Sequence, residues 1–190
     1  MIAMQALPPI PSWTELHPLV IHFPIALLLV APLFIIAGII ANPQKGRPFL
    51  IAALILMLLG TAGAFIAIAT GEAAGEVAAR TPALSAILER HEDLAEMTRI
   101  AFSVLTLLFA AILFLPRILK REASGATARL LPLAFLVFYG AGAVILVNTA
   151  HNGGRLVHEL GVHAGFTQSS GTSQSATSGQ PVAQEAEAEH

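Results

Sequence analysis

The chain carries four long apolar runs, roughly Pro18–Ile40, Phe49–Thr70, Ile100–Leu119 and Leu130–Ala150. Each has about the 20 residues that a helix needs to cross a hydrocarbon core. Inside lipid a backbone must satisfy its own polar groups, so runs of this length are restricted to helices. Composition points the same way. Of 190 residues, 55% are apolar and 12% charged, about half the charged share of a soluble domain. The expectation is an all-α polytopic membrane protein: an antiparallel four-helix transmembrane bundle over residues 1–166, with its third and fourth helices extended beyond the bilayer. The linker from Asn42 to Pro48 holds two prolines and a glycine and reads as a turn. From Thr167 to His190 the chain is mostly Ser, Thr, Gln, Ala and Glu with a single valine. Such a segment has too little apolar content to pack and reads as a disordered polar tail.

Several function classes fall away at once. A net charge of -2 offers nucleic acid nothing to bind. The lack of cysteine removes thiolate metal sites, Cys-held iron–sulfur clusters and covalent c-type haem. No nucleophile–base motif, phosphate loop or zinc-protease signature is present, so the chain reads as a redox or accessory membrane protein before a hydrolase or transferase. No charged residue lies deep in a run, where a coupled ion pathway would show one. The amino terminus has no Lys or Arg before its first apolar run and no small-residue cleavage signal; that run is expected to be a retained span.

Lys and Arg set the orientation. Lys45, Arg47, Arg117, Lys120, Arg121 and Arg129 fall on one side, against Arg80, Arg90, Arg99 and Arg155 on the other. The positive-inside rule places both termini outside the cytoplasm, at the periplasmic face of a bacterial inner membrane.

Six of the seven histidines then share that face. His17 and His22 open the first run, His91 leads into the third, and His151, His158 and His163 follow the fourth. Ionisable residues at a membrane edge mark sites more often than packing. Thr81-Pro82 is a helix start, with Thr as N-cap and Pro in the first turn. Beyond it Leu84, Ile87, Leu88, His91, Leu94, Ala95 and Thr98 recur at helical spacing, while Glu89, Arg90, Glu92, Asp93 and Glu96 lie off that face. His91 is therefore expected to point into the bundle; taken alone, it reads as a core histidine satisfied by one carbonyl. Asn148, His151, Asn152 and Arg155 form a polar stripe on the fourth helix, which His158 continues unless Gly153-Gly154 breaks it. Those two glycines admit another backbone or a flat ligand at close range.

In the first helix, Ser12 to Glu15 forms a capping box with Trp13 as interfacial anchor. Pro24 withholds an N–H from the Val20 carbonyl, freeing an acceptor near His22. His17 and His22 are about 140° apart around the helix and do not share a face. The second helix presents Gly60, Gly63, Ala64, Ala67 and Gly71, a close-packing surface.

His-Pro-Leu-Val-Ile-His-Phe-Pro (residues 17–24) and His-Asn-Gly-Gly-Arg-Leu-Val (residues 151–157) together resemble the bacterial four-span membrane family catalogued as domain of unknown function two-two-three-one. The likeness covers about residues 15–163. It implies four spans and matches His17, His22, His91 and His151 to the family's histidines. The chain departs at His158, where the family has Tyr, and around Leu160 and His163, so those last two histidines fall outside its pattern. Some members are joined to Rieske-type or c-type cytochrome domains, which implies an electron-transfer setting.

Three functional readings follow. In the first, haem b binds with His22 and His151 as axial ligands, since two neutral imidazoles suffice. His91 and His158 would form a second layer further out, with His17 a further candidate ligand; Arg155 would pair with a propionate, and Asn148 and Asn152 would orient an imidazole. In the second, His22, His151, His91 and His17 hold zinc or copper, with Glu89, Glu92, Asp93 or Glu96 assisting. In the third, the protein is a cofactor-free structural or accessory subunit whose histidines tie helix ends together.

Overall fold

The computed structural model describes residues 12–13, 15–41, 43–78, 81–120 and 125–162; His163 and the polar tail lie outside them. All regular structure among these residues is helical. The first span is built from α1 (His17–Val20) and α2 (His22–Ile40), followed by α3 (Pro43–Val77), α4 (Pro82–Ile118) and α5 (Gly125–His158). The four apolar helices are long enough to cross a membrane. They close a ring in which α2 packs on α3, α3 on α4, α4 on α5 and α5 on α2. Outward-facing Leu33, Leu107 and Val137 are 61%, 72% and 74% exposed, an apolar surface of the kind that lipid covers.

Local chemistry explains the helix ends. The α1–α2 junction at Ile21 lies where Pro24 has no N–H for the Val20 carbonyl. Thr81 caps α4 as expected: its Oγ1 accepts the Leu84 N–H at 3.3 Å, with Pro in the first turn. Part of the expected capping box is seen directly. Glu15 accepts the Ser12 N–H at 2.8 Å, but the helix starts later, at His17, with no side-chain cap.

The expected Asn42–Pro48 turn is shorter than its composition suggests. α3 begins at Pro43, where a first-turn proline withholds an N–H the helix does not need, and it takes Pro48 into its interior at the loss of one backbone bond. The hairpin can close this tightly because a Cβ at Gly46 would lie 2.2 Å from the Gly38 carbonyl oxygen. α4 and α5 outlast their apolar runs as expected, and α3 also runs on to Val77. Its last turns lie beside α4: a Cβ on Gly75 would stand 3.2 Å from Glu92 Oε1 and 3.7 Å from Leu88.

The bundle centre is aromatic and dry. Phe109 stacks on Phe135 at 4.8 Å between centroids, and Tyr139 meets Phe102 edge-on at 5.4 Å. Leu28, Ile35, Ala53 and Met57 fill the remaining space, fully buried. Tyr139 Oη donates to the Leu28 carbonyl at 2.5 Å. That carbonyl would ordinarily serve the N–H of residue 32, which is a proline. One buried phenol thus repairs the gap that Pro32 opens, and in doing so ties α5 to α2. Thr61 and Thr106 join α3 to α4 through a 3.0 Å hydroxyl pair.

Candidate functional site

At one end of the bundle two imidazoles from different spans are seated in the same way. His17 Nδ1 donates to the Ala67 carbonyl at 2.9 Å and approaches Thr70 Oγ1 at 3.2 Å. The Thr70 hydroxyl lies 3.0 Å from the Ile66 and Ala67 carbonyls, so its hydrogen is directed to them and its oxygen is left to receive the imidazole. The ring lies over Gly71, where a Cβ would fall 2.9 Å from His17 Cε1. Only a glycine lets the imidazole come this close to the backbone.

His91 repeats the plan on the other hairpin. Its Nδ1 donates to the Thr149 carbonyl at 3.0 Å, and a Cβ on Gly153 would lie 3.0 Å from His91 Cε1. In both seats the acceptor carbonyl precedes the glycine by four residues, so the ring shares the carbonyl that the helix directs at that glycine's N–H. Thr149 has a second task. Its Oγ1 donates towards Leu94 O and Ile145 O, at 3.0 and 2.9 Å, and pairs with Thr98 Oγ1 at 2.8 Å. The residue whose carbonyl holds His91 therefore also braces α5 against α4.

The two rings lie 6.5 Å apart between centroids, with planes 83° to one another. A carbonyl only accepts, so each Nδ1 carries hydrogen and each neutral ring keeps its lone pair on Nε2. Neither Nε2 has a hydrogen-bond partner among the described residues. No fully buried side-chain nitrogen or oxygen there lacks one, so both Nε2 atoms retain access from the surface. This is the state in which imidazoles bind iron or other metals, with the second nitrogen fixed by a carbonyl.

The remaining expected site residues stand apart from this pair. His22 is exposed, and its Nδ1 donates to the Pro18 carbonyl at 2.7 Å, not to that of Val20. His151 is exposed as well, and neither histidine has a ring contact with the other among the described residues. The polar stripe on α5 divides: Asn152 is buried, with Nδ2 donating to Asn148 O, while Asn148 is exposed and donates to Val144 O. Arg155 pairs with Glu159 at 2.9 Å. α5 continues unbroken through Gly153 and Gly154 to an exposed His158. Of the two glycines, Gly153 takes the His91 ring, and Gly154 has no neighbour within 4 Å of where a Cβ would stand.

Sequence reasoning missed Thr70, Thr149 and the carbonyls of Ala67 and Thr149. It also read the second helix as packing alone, whereas that helix supplies the whole His17 seat. The available signal was a glycine four residues beyond each acceptor. Among the described residues no three His, Cys, Asp or Glu side chains converge as a metal-binding group.

Comparison with curated proteins and with solved structures returned no match. The family described as Predicted membrane protein (DUF2231) matches residues 14–165, most of the chain and all four spans, and the protein belongs to that family.

Proposed function

We propose that this protein is a redox-active membrane protein that holds haem b between His17 and His91 at the periplasmic face, for electron transfer. The observation that carries the reading is the seated imidazole pair. Both rings, 6.5 Å apart, would offer an unprotonated Nε2 to a haem iron. Two protein donors are also all that haem b requires, since the porphyrin supplies the other four. Zinc or divalent copper would need a third protein donor, and none converges among the described residues.

A haem iron held there would supply one-electron transfer. The chain's own work is to fix both rings by Nδ1, keep each Nε2 unprotonated, and hold two helices at the required separation. The Lys/Arg-rich linkers support a periplasmic site, within reach of a Rieske-type or c-type cytochrome as partner. Reporter fusions at Gly46 and Gly125 should then read cytoplasmic, and one after Thr167 should not.

The alternative is a cofactor-free accessory subunit, favoured by the same two imidazole–carbonyl bonds acting purely as helix ties. Expression with ample haem separates the readings. The haem reading expects a Soret band and a sharp reduced α-band of low-spin six-coordinate iron. His17→Ala and His91→Ala should each abolish that spectrum, while His22→Ala and His151→Ala should leave it. A folded, haem-supplied protein without Soret absorbance would leave the accessory reading standing. Loss of the spectrum in His22→Ala and His151→Ala alone would return the ligands to that pair.

A further inference from the structure

A groove of about 580 Å³ opens to the membrane between α3 and α4. Leu58, Ala62, Phe65 and Ile66 form one wall and Ser103 and Leu107 the other. It descends from the histidine end into the bilayer, about 10 Å from Phe65 to Leu58 at 1.5 Å per residue. Its upper rim is not apolar. The Arg99 guanidinium lies over the Phe65 ring, 5.2 Å from the centroid, and is paired with Glu96 one turn outward. Both ends of that pair remain part exposed, at 33% and 45%. Arg99 stands one residue before the third apolar run begins, at the depth of lipid headgroups.

We infer that this groove is a binding site for one phospholipid with a phosphoethanolamine headgroup. An acyl chain occupies the apolar channel. The phosphate meets Arg99, which is suited to phosphate recognition and anchored by its ring contact. The ammonium meets Glu96. A neutral Arg–Glu pair complements a zwitterion, with each lipid charge facing its opposite. Acidic lipid is disfavoured here, because exposed Glu89, Glu92 and Asp93 outnumber the exposed Arg90 on this part of α4 and repel a net negative headgroup. Phosphocholine carries the same charges but has no N–H to donate to a carboxylate, so it binds less well than phosphoethanolamine.

The full chain, delipidated in detergent, can be titrated with phosphatidylethanolamine, phosphatidylcholine and phosphatidylglycerol and the bound lipid counted by native mass spectrometry. Phosphatidylethanolamine should bind tightest. Arg99→Gln and Glu96→Gln should each weaken it about tenfold, the worth of one charge-assisted hydrogen bond. Glu96→Gln should not weaken phosphatidylglycerol. Ala62→Phe, which fills the channel from a lipid-facing position and spares the core, should remove the bound lipid. Equal or tighter binding of phosphatidylglycerol would overturn the proposal, as would unchanged phosphatidylethanolamine binding in Ala62→Phe. A quinone or a second copy of the chain occupying the groove would do the same.

Discussion

The middle of the bundle and its histidine end solve the same problem in opposite ways. Both contain helix carbonyls that receive a side chain from another helix. In the middle, Tyr139 serves the Leu28 carbonyl that Pro32 leaves open, and large aromatic rings pack the site dry. At the histidine end the acceptor carbonyls belong to intact helices, and glycines clear the approach. There each imidazole spends one nitrogen on structure and keeps the other. A neutral phenol that donates its hydrogen keeps only weakly basic oxygen lone pairs, whereas an imidazole keeps a basic nitrogen. Stability should therefore respond to the middle and ligand chemistry to the end, and substitutions can separate the two.

The largest expected effect lies in the aromatic centre. Phe109→Ala removes a fully buried ring stacked on Phe135 and should cost about 3–5 kcal/mol, read by chemical or thermal unfolding in detergent. The fraction that remains folded should keep any haem spectrum. A stable Phe109→Ala protein with an altered spectrum would show that the two regions are not separable. Tyr139→Phe comes next. It strands the Leu28 carbonyl inside the bundle and should cost about 1–2 kcal/mol, again without spectral change. A companion Pro32→Ala, which restores an N–H to that carbonyl, should recover part of the loss. No recovery would mean that the phenol matters for packing and not for the missing bond.

How far these regions were legible differs for physical reasons. Four spans, the Thr81 cap and the inward direction of His91 follow from length and periodicity, which act along one helix. The small-residue face on α3 was readable on the same terms. Pairing across helices is another matter, because it depends on the rotation of each helix and on carbonyls, which every residue possesses. Matched depth suggested His22 and His151. Rotation decides otherwise: about 140° separates His22 from His17, so once His17 faces α3, His22 turns outward. Likewise Asn152 is buried and its neighbour His151 exposed. Tyr139 could have been anticipated as the only tyrosine in an apolar run, but nothing in the sequence links it to Leu28.

Thr149→Val tests the residue where structure and site meet. It deletes the hydroxyl that braces α5 against α4 through Leu94 and Thr98 but leaves the backbone carbonyl that holds His91. Interhelical hydrogen bonds of this kind in membranes are worth about 0.6 kcal/mol on average, with a maximum of about 1.7. A cost in that range is expected, with the haem spectrum kept and its midpoint potential shifted as His91 loosens. Thr70→Val removes a contact to His17 itself while its hydroxyl bonds stay within α3, so it should be the milder of the two in stability. The reverse order would mean that the His17 seat, not the His91 seat, is the one tied into the bundle.

Gly153→Ala should change stability least and the site most. Replacing a helix-interior glycine by alanine is worth up to about 1 kcal/mol in favour of the helix. The new methyl arrives 3.0 Å from His91 Cε1 and 3.7 Å from Nε2, tighter than ordinary contact, so the ring must give by a few tenths of an ångström. The neighbour that must give way is a side chain, so the helix need not move. The imidazole shifts against the Thr149 carbonyl instead, weakening a hydrogen bond worth about 1 kcal/mol. The two terms offset, and unfolding should shift by less than about 1 kcal/mol in either direction. With that bond strained, His91 is held less firmly in its tautomer and in its distance from His17. Low-spin absorbance should therefore fall in Gly153→Ala, and likewise in Gly71→Ala, where the methyl would meet His17 Cε1 at 2.9 Å. Gly154→Ala is the control, since a Cβ there meets nothing within 4 Å, and it should leave spectrum and unfolding alike unaltered. If Gly153→Ala and Gly154→Ala behave the same, the seat has no bearing on ligand binding, and the separation between the middle of the bundle and its end fails where it is most exposed.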